Sequence, residues 1–164
     1  MMNLHHGLVA LGVWASLFFV AGCQPEAVVE TQELKVLVGL QRTPCFGRCP
    51  VYELSVLNTG EATLQVGRFC EEAFGRSLSE GLHRSRVDIG LWRMVVDEAK
   101  DMGFDTLQSR YDNPRVTDLP AAVITIDGQS VFNRYGGPDL TELYARIERL
   151  VATSDWKPDP SATR

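Results

Sequence analysis

The sequence predicts an α+β domain in which an antiparallel β-sheet of about five strands carries two α-helices on one face. Apolar and polar residues alternate along several short segments, and two of these segments run into turn residues followed by a second alternating segment. Two longer segments instead repeat apolar residues with the spacing of a helix. Because the order is strands, helix, hairpin and helix, an antiparallel sheet with both helices on one face is the simplest layering.

The strands come first along the chain. Apolar side chains alternate through residues 34–40, which is the pattern of a half-buried strand. The alternation resumes at 51–57, the turn residues Asn58-Thr59-Gly60 follow, and 61–67 return, so we expect these two segments to pair as a hairpin. Residues 68–84 have no period that decides between a further strand and a packed loop.

The first helix is predicted near residues 86–102. Ser85 and Asp88 stand three residues apart, as the two members of a capping box do, and could bind the first free amides of a helix. Apolar residues then follow on one helical face, including Trp92, and Gly103 is placed to end the helix.

A second hairpin and a second helix complete the predicted domain. Asp127-Gly128 is a strong two-residue hairpin signal between the alternating segments 122–126 and 131–135. Pro138 is suited to the first position of a helix, which we expect to run near 138–152.

The amino terminus predicts export and lipid attachment. Residues 7–20 contain no charged side chain and fall short of the roughly 20 residues that a transmembrane helix needs. They end in Val20-Ala21-Gly22-Cys23, which resembles the lipobox of a bacterial lipoprotein signal peptide. The resemblance implies cleavage before Cys23 and a lipid thioether on it, although the segment before residue 7 offers two histidines where basic residues are usual. The alternative is a short buried helix of a cytosolic protein.

These features divide the chain into a signal peptide (1–22), a tether (23–33), one domain (34–153) and a flexible tail (154–164). With lipid on Cys23 the domain would lie in the cell envelope, and the absence of aspartate after that cysteine favours the outer membrane. The net charge of −5 and the lack of a run of basic residues argue against a nucleic-acid partner. The lipid-attached membrane would be one partner, and another envelope protein or a small ligand could be a second.

Cys45 and Cys49 are the one pair of potentially reactive side chains that lie close together in the sequence of the predicted domain. Thiols this close usually oxidise outside the cytoplasm, and Gly47 between them would ease closure of the ring. We therefore expect a disulfide that fixes the entry of the chain into the second strand. Two alternatives stay open: a redox or copper site, since Cys-x-x-x-Cys-Pro also resembles the motif of thioredoxin-like copper-delivery proteins, and a zinc site completed by Cys70 and His83.

The cysteine segment also carries a family resemblance. The run Pro-Cys-Phe-Gly-Arg-Cys-Pro-Val-Tyr at 44–52 resembles the opening of a bacterial envelope family known as domain of unknown function 6438. Weaker similarities are Thr117-Asp118-Leu119-Pro120 and Tyr135-Gly136-Gly137-Pro138. The resemblance implies an α+β domain on secreted or lipid-anchored proteins, and it implies no established activity or catalytic residue. Cys70 is not part of the pattern.

No catalytic motif, cofactor site or metal site is predicted, and an enzyme is the less favoured class. We interpret the protein as a non-catalytic binding or interaction module of the envelope, with a thiol-redox or copper-handling protein that uses Cys45 and Cys49 as the alternative. Some side chains are candidates for binding or for capping a loop, because they are amphipathic or flank the segments described above. They are Arg48, Tyr52, Tyr111, Asp118 and Tyr135.

Overall fold

A computed structural model describes residues 33–162, which form one sheet of eight strands and three α-helices. In sheet order the strands are β5, β7, β6, β1, β2, β3, β4 and β8, and neighbours are antiparallel except β5 and β7, which are parallel. The strands are β1 (Val36–Arg42), β2 (Tyr52–Leu57), β3 (Glu61–Val66), β4 (Gly81–Arg86), β5 (Arg110–Tyr111), β6 (Ala122–Ile126), β7 (Gln129–Asn133) and β8 (Lys157–Pro158). The helices are α1 (Cys70–Phe74), α2 (Ile89–Asp101) and α3 (Thr141–Thr153).

The predicted fold class is wrong in detail, although the fold is of the α+β kind. In place of about five antiparallel strands and two helices, the described residues form an eight-stranded mixed sheet with three helices. Two of the additional strands, β5 and β8, have two residues each, which is too short for alternation to show. The short α1 lies within residues 68–84, where no period was visible, and β4 begins there and ends at Arg86.

Both predicted hairpins are confirmed as antiparallel pairs. In the first, Leu54 of β2 lies opposite Leu64 of β3. In the second, Ile126 lies opposite Gln129, so the returning strand begins two residues earlier than expected. The reason is the tight turn, in which Asp127 and Gly128 both adopt positive φ angles, 51° and 91°, as a two-residue hairpin turn requires.

The core lies on one face of the sheet. In β2 the side chains of Tyr52, Leu54 and Val56 are buried, whereas Glu53 between them is exposed. These buried side chains form a single cluster with the buried side chains of all three helices, so the helices cover this face. The opposite face is open to solvent.

The first long helix, α2, begins later than the capping-box pattern predicts. Ser85 and Arg86 remain in β4, where Ser85 lies opposite Ala62 of β3. Asp88 caps the helix alone, and its carboxylate accepts a hydrogen bond of 2.9 Å from the amide of Gly90. The last helix, α3, begins at Thr141, three residues later than Pro138 predicts. Just before the helix, the Asp139 carboxylate accepts a hydrogen bond of 3.0 Å from the Thr141 amide.

The sequence predicts a flexible tail from residue 154, and the structure describes this segment up to residue 162. Trp156 is buried, and its indole N–H donates to the carbonyl of Val151 at 2.9 Å. The next two residues form β8 against β4. A composition rich in proline suggested disorder, but one buried indole and two strand residues are enough to hold the segment on the domain.

The predicted signal peptide (1–22), the lipid-bearing Cys23 and the tether up to residue 32 lie outside the described residues. Within 33–162, none of the helices has the length and apolar character to cross a membrane.

Candidate functional site

Seven of the eight strands of the described residues, all except β8, have one end at the same end of the sheet. Arg42, the last residue of β1, lies opposite both Tyr52 of β2 and Ala122 of β6. Ala122 in turn lies opposite Asn133 of β7, and Asn133 pairs with Tyr111 of β5. We call this the loop end of the sheet, because four connections leave the strands here: residues 43–51, 67–80 (which contain α1), 112–121 and 134–140.

The first of these loops, residues 43–51, is closed by a disulfide between Cys45 and Cys49, as their spacing led us to expect. The two Cα atoms are 5.8 Å apart. Phe46 lies between the cysteines and is 95% exposed. Thr43 ties the start of the loop to the neighbouring loop, since its amide donates to the carbonyl of Ala121 at 2.9 Å and its hydroxyl accepts from the Ala121 amide at 2.7 Å. We call residues 43–51 the stapled loop.

Arg48 fastens the stapled loop to α1. Its Nε donates to Oε1 of Glu72 at 2.9 Å, and its Nη2 lies 2.8 Å from the same oxygen. The guanidinium also lies over the ring of Phe69, 4.6 Å from the ring centroid. Arg48 therefore holds the conformation of the loop, with its charge paired to Glu72.

The third cysteine of the domain, Cys70, is buried and free. Its thiol donates to the carbonyl of Val51 at 3.0 Å. Burial raises the pKa of Cys70, and this outweighs the lowering by its backbone hydrogen bonds, so the group stays a thiol at neutral pH. A thiol in this state is a poor nucleophile.

The four residues considered for zinc have other partners. Cys45 and Cys49 are bonded to each other, and Cys70 bonds to the backbone. His83 is buried, with Nε2 3.3 Å from the Ser79 hydroxyl and Nδ1 3.2 Å from the carbonyl of Gly81. Among residues 33–162 no group of three or more His, Cys, Asp or Glu side chains is placed to hold a metal ion.

Tyr52 connects the sheet to α3 and does not line an open groove. Its ring is buried, and its hydroxyl donates to Oε1 of Glu148 at 2.5 Å. Burial, followed by the nearby carboxylate of Glu148, raises the pKa of Tyr52 well above its usual value, so the phenol stays neutral. Arg42 borders the same region, with its guanidinium 5.2 Å from the centroid of the Tyr144 ring.

Two other predicted residues, Tyr111 and Tyr135, are brought together by the β5–β7 pairing. The carbonyl of Tyr111 accepts from the amides of Arg134 at 3.0 Å and Tyr135 at 3.3 Å, and the Tyr111 hydroxyl accepts from the amide of Gln108 at 3.0 Å. The ring of Tyr135 is exposed. Asp118 is exposed in the 112–121 loop, and among the described residues its hydrogen bond comes from the Thr117 hydroxyl at 3.2 Å, not from a backbone amide.

The turn after Tyr135 depends on glycine at position 137. A Cβ atom there would lie 2.8 Å from Cβ of Tyr111 and would collide with the side chain of Asn133. Asn133 cannot move aside without losing a hydrogen bond of the turn, because its side-chain amide donates to the carbonyl of Pro138 at 2.9 Å. Glycine therefore lets the turn pack directly on β5 and β7.

Sequence reasoning missed a charged cluster beside these tyrosines. The side chain of Asp112 is only 9% exposed and accepts two hydrogen bonds of 2.6 Å, one from Nη2 of Arg110 and one from Nε of Arg134. Burial would raise the pKa of Asp112, but the bonds from Arg134 and Arg110 outweigh it and hold that pKa below its usual range. The sequence shows only that Arg110 and Asp112 are two residues apart, as side chains on one face of a strand are. Their proximity to Arg134 follows from the pairing of β5 with β7, which the sequence does not reveal.

A comparison with family models matches most of the domain, including the loop end of the sheet, to one family. The model described as "Domain of unknown function (DUF6438)" matches residues 36–151, more than half of the chain. The chain belongs to this family. The DUF6438 match extends from β1 into the last turns of α3, so it contains the stapled loop, the charged cluster and the turn after Tyr135. A search of the curated proteins found no match, and a search of the solved structures found none either.

Proposed function

We propose that this DUF6438 protein is a lipid-anchored module of the cell envelope that binds a partner protein through its stapled loop and has no catalytic activity of its own. The observation that carries the proposal is the full exposure of Phe46 on a loop that a disulfide closes. The structure describes the loop, and the anchor and the partner are inferred.

The exposure of Phe46 is notable because of how the loop is held. A single exposed apolar side chain is common on protein surfaces. Here, however, the backbone on both sides of the ring is fixed by the disulfide, by the two bonds of Thr43 to Ala121, and by the pairing of Arg48 with Glu72. An aromatic side chain on a preformed loop loses little conformational entropy when it enters a pocket, which is the property of a binding anchor.

The membrane anchor is inferred from the sequence. The lipobox resemblance at residues 20–23 supports acylation of Cys23, and two or more acyl chains give stable membrane attachment. Glutamine at position 24 supports the outer membrane over the inner one. The chain between Cys23 and Glu33 would then connect the lipid to the start of the domain.

The positions of Cys45 and Cys49 do not favour the copper or redox alternative. In the copper-delivery motif the two cysteines open a helix, whose N-terminus stabilises a thiolate. Cys45 and Cys49 instead precede a strand, β2, and are joined to each other. We therefore propose the binding module alone.

Photo-crosslinking in living cells tests the binding role. A photoreactive phenylalanine analogue placed at position 46 should give a discrete adduct with one envelope protein. The matched control is the same analogue at Met94, an exposed apolar position on α2. The adduct at 46 should weaken strongly when both Cys45 and Cys49 are replaced by alanine, because the loop is then no longer preformed. Adducts that are the same at 46 and 94 would contradict the proposal.

A further inference from the structure

Two arginine side chains converge on one carboxylate at the β5 edge of the sheet. Arg110 and Arg134 each donate to a different oxygen of Asp112, both at 2.6 Å. Two positive charges and one negative charge leave this cluster with a net positive charge, in a chain whose net charge is −5. The three side chains and Pro114 line an open depression of about 490 Å³, which we call the arginine site.

Both guanidinium groups are held in position without a ligand. That of Arg110 lies over the ring of Phe132, with Cζ 4.0 Å from the ring centroid. That of Arg134 is only 20% exposed and makes a second bond through Nη2, of 3.4 Å, to the carbonyl of Asn113. The side chains are therefore ordered in advance, which lowers the entropic cost of binding an anion between them.

The two groups also have donors to spare. A guanidinium carries five N–H bonds in a planar fork that matches the oxygens of a carboxylate or a phosphate. Among the described residues Arg110 uses one donor nitrogen and Arg134 uses two. Both arginines are bound to the same carboxylate and line the same depression, so their remaining N–H groups are close enough to act on one ligand together.

We propose that the arginine site binds a small soluble molecule through a carboxylate or phosphate group, with Arg110 and Arg134 as the donors. Asp112 is a positioning residue that aligns the two guanidinium groups and reduces their mutual repulsion. The low pKa of Asp112 keeps it ionised in this role across the neutral range. This inference is independent of the function proposed for the stapled loop.

A titration followed by NMR tests the site in the purified full-length chain. The Nε–H signals of Arg110 and Arg134, assigned by replacement with lysine, are followed while inorganic phosphate or succinate is added at constant ionic strength against sodium chloride. We expect saturable shifts of these two signals, and the better of the two probes identifies the preferred group. In Arg110→Gln the affinity should fall at least about tenfold, since one of two charge-assisted contacts is lost.

The matched control is Arg115→Gln, which removes the same charge from an exposed position in the 112–121 loop that follows β5 and should keep the wild-type affinity. Circular dichroism checks that both variants are folded. Arg110→Lys keeps the charge but loses the planar fork, so it should also bind more weakly than wild type. The proposal is overturned if phosphate and succinate cause only the non-saturable shifts seen with chloride, or if Arg115→Gln weakens binding as much as Arg110→Gln. Crosslinking at position 46 is a separate readout, so failure of one proposal does not imply failure of the other.

Discussion

Arg84 and Asp159 form an ion pair that holds the C-terminal segment against β4. Nε of Arg84 donates to Oδ2 of Asp159, whose side chain is only 6% exposed. The other oxygen, Oδ1, accepts from the amide of Ser161 at 2.9 Å and from its hydroxyl at 2.7 Å. Because both oxygens have donors, the carboxylate can be buried without an unsatisfied charge.

This ion pair predicts a specific pH dependence of stability. The bonds from Ser161 and then from Arg84 lower the pKa of Asp159 to about 2, whereas an aspartate in an unfolded chain titrates near 3.9. Since the folded-state pKa is the lower one, the carboxylate contributes stability above about pH 4, and this contribution is lost as the pH falls towards 2. Asp159→Asn should therefore be less stable than wild type at pH 7.

Urea unfolding of wild type and Asp159→Asn over a pH series measures this contribution. The difference between their free energies of unfolding should be constant at neutral pH, shrink below about pH 4 and continue to shrink to below about pH 2, where the carboxylate is protonated in both states. A difference that stays constant through this range would show that the carboxylate is not responsible.

The C-terminal segment shows where sequence patterns fail. Hairpins are encoded locally, by alternation on both sides of a turn such as Asp127-Gly128, and both predicted hairpins were confirmed. The attachment of the C-terminal segment instead depends on partners far away in sequence, such as Arg84 for Asp159. Alternation cannot reveal a two-residue strand such as β8, so the additional edge strands were not predicted.

The bond between Tyr52 and Glu148 gives a second prediction. Tyr52→Phe removes a hydroxyl that donates to a carboxylate at 2.5 Å inside the interface between β2 and α3. We expect a loss of about 1.5 kcal/mol in the free energy of unfolding, the usual scale for a hydrogen bond to a charged group. Tyr135→Phe is the control, because that ring is exposed, and it should change stability little. Equal losses in the two variants, measured by urea unfolding, would contradict a role for the hydroxyl.

The disulfide should stabilise the domain modestly. Replacing both Cys45 and Cys49 by alanine should cost about 2 kcal/mol, the chain-entropy estimate for so short a loop. Cys70→Ala should cost less, about 1 kcal/mol, because it removes one buried sulfur atom and its bond to Val51. Thermal unfolding of the purified variants measures both. If the double variant is as stable as wild type and cells that carry it lose a copper- or thiol-dependent phenotype, Cys45 and Cys49 have a reactive role and not a structural one.

Lipid attachment predicts the behaviour of Cys23→Ala. If Cys23 carries the acyl chains, this variant should incorporate no labelled fatty acid and should accumulate as the unprocessed precursor. Cys70→Ala, which removes a buried cysteine of the domain, should be labelled and processed normally. Normal labelling and processing of Cys23→Ala would rule out this attachment site.

The candidate site was predictable in part. The closeness of Cys45 and Cys49 indicated their pairing, because two thiols four residues apart can meet without any tertiary contact. The arginine site required Arg110 in β5 and two side chains that directly follow β5 and β7, Asp112 and Arg134, and no local pattern predicts the parallel pairing of these strands. Tyr52 illustrates a third case, since it was a candidate binding residue whose alternation also indicated the core, and its partner Glu148 lies on a helix distant in sequence.

The most direct test of the account is the oxidation state of the cysteines in protein purified from the cell envelope. Intact-mass spectrometry after alkylation, with and without reductant, is combined with metal analysis of the same sample. The account predicts a Cys45–Cys49 disulfide that resists mild reductant, a Cys70 thiol that is alkylated only after unfolding, and no metal in stoichiometric amount. Free or easily reduced thiols at Cys45 and Cys49, or copper bound with them, would contradict a stapled binding loop and support the redox alternative.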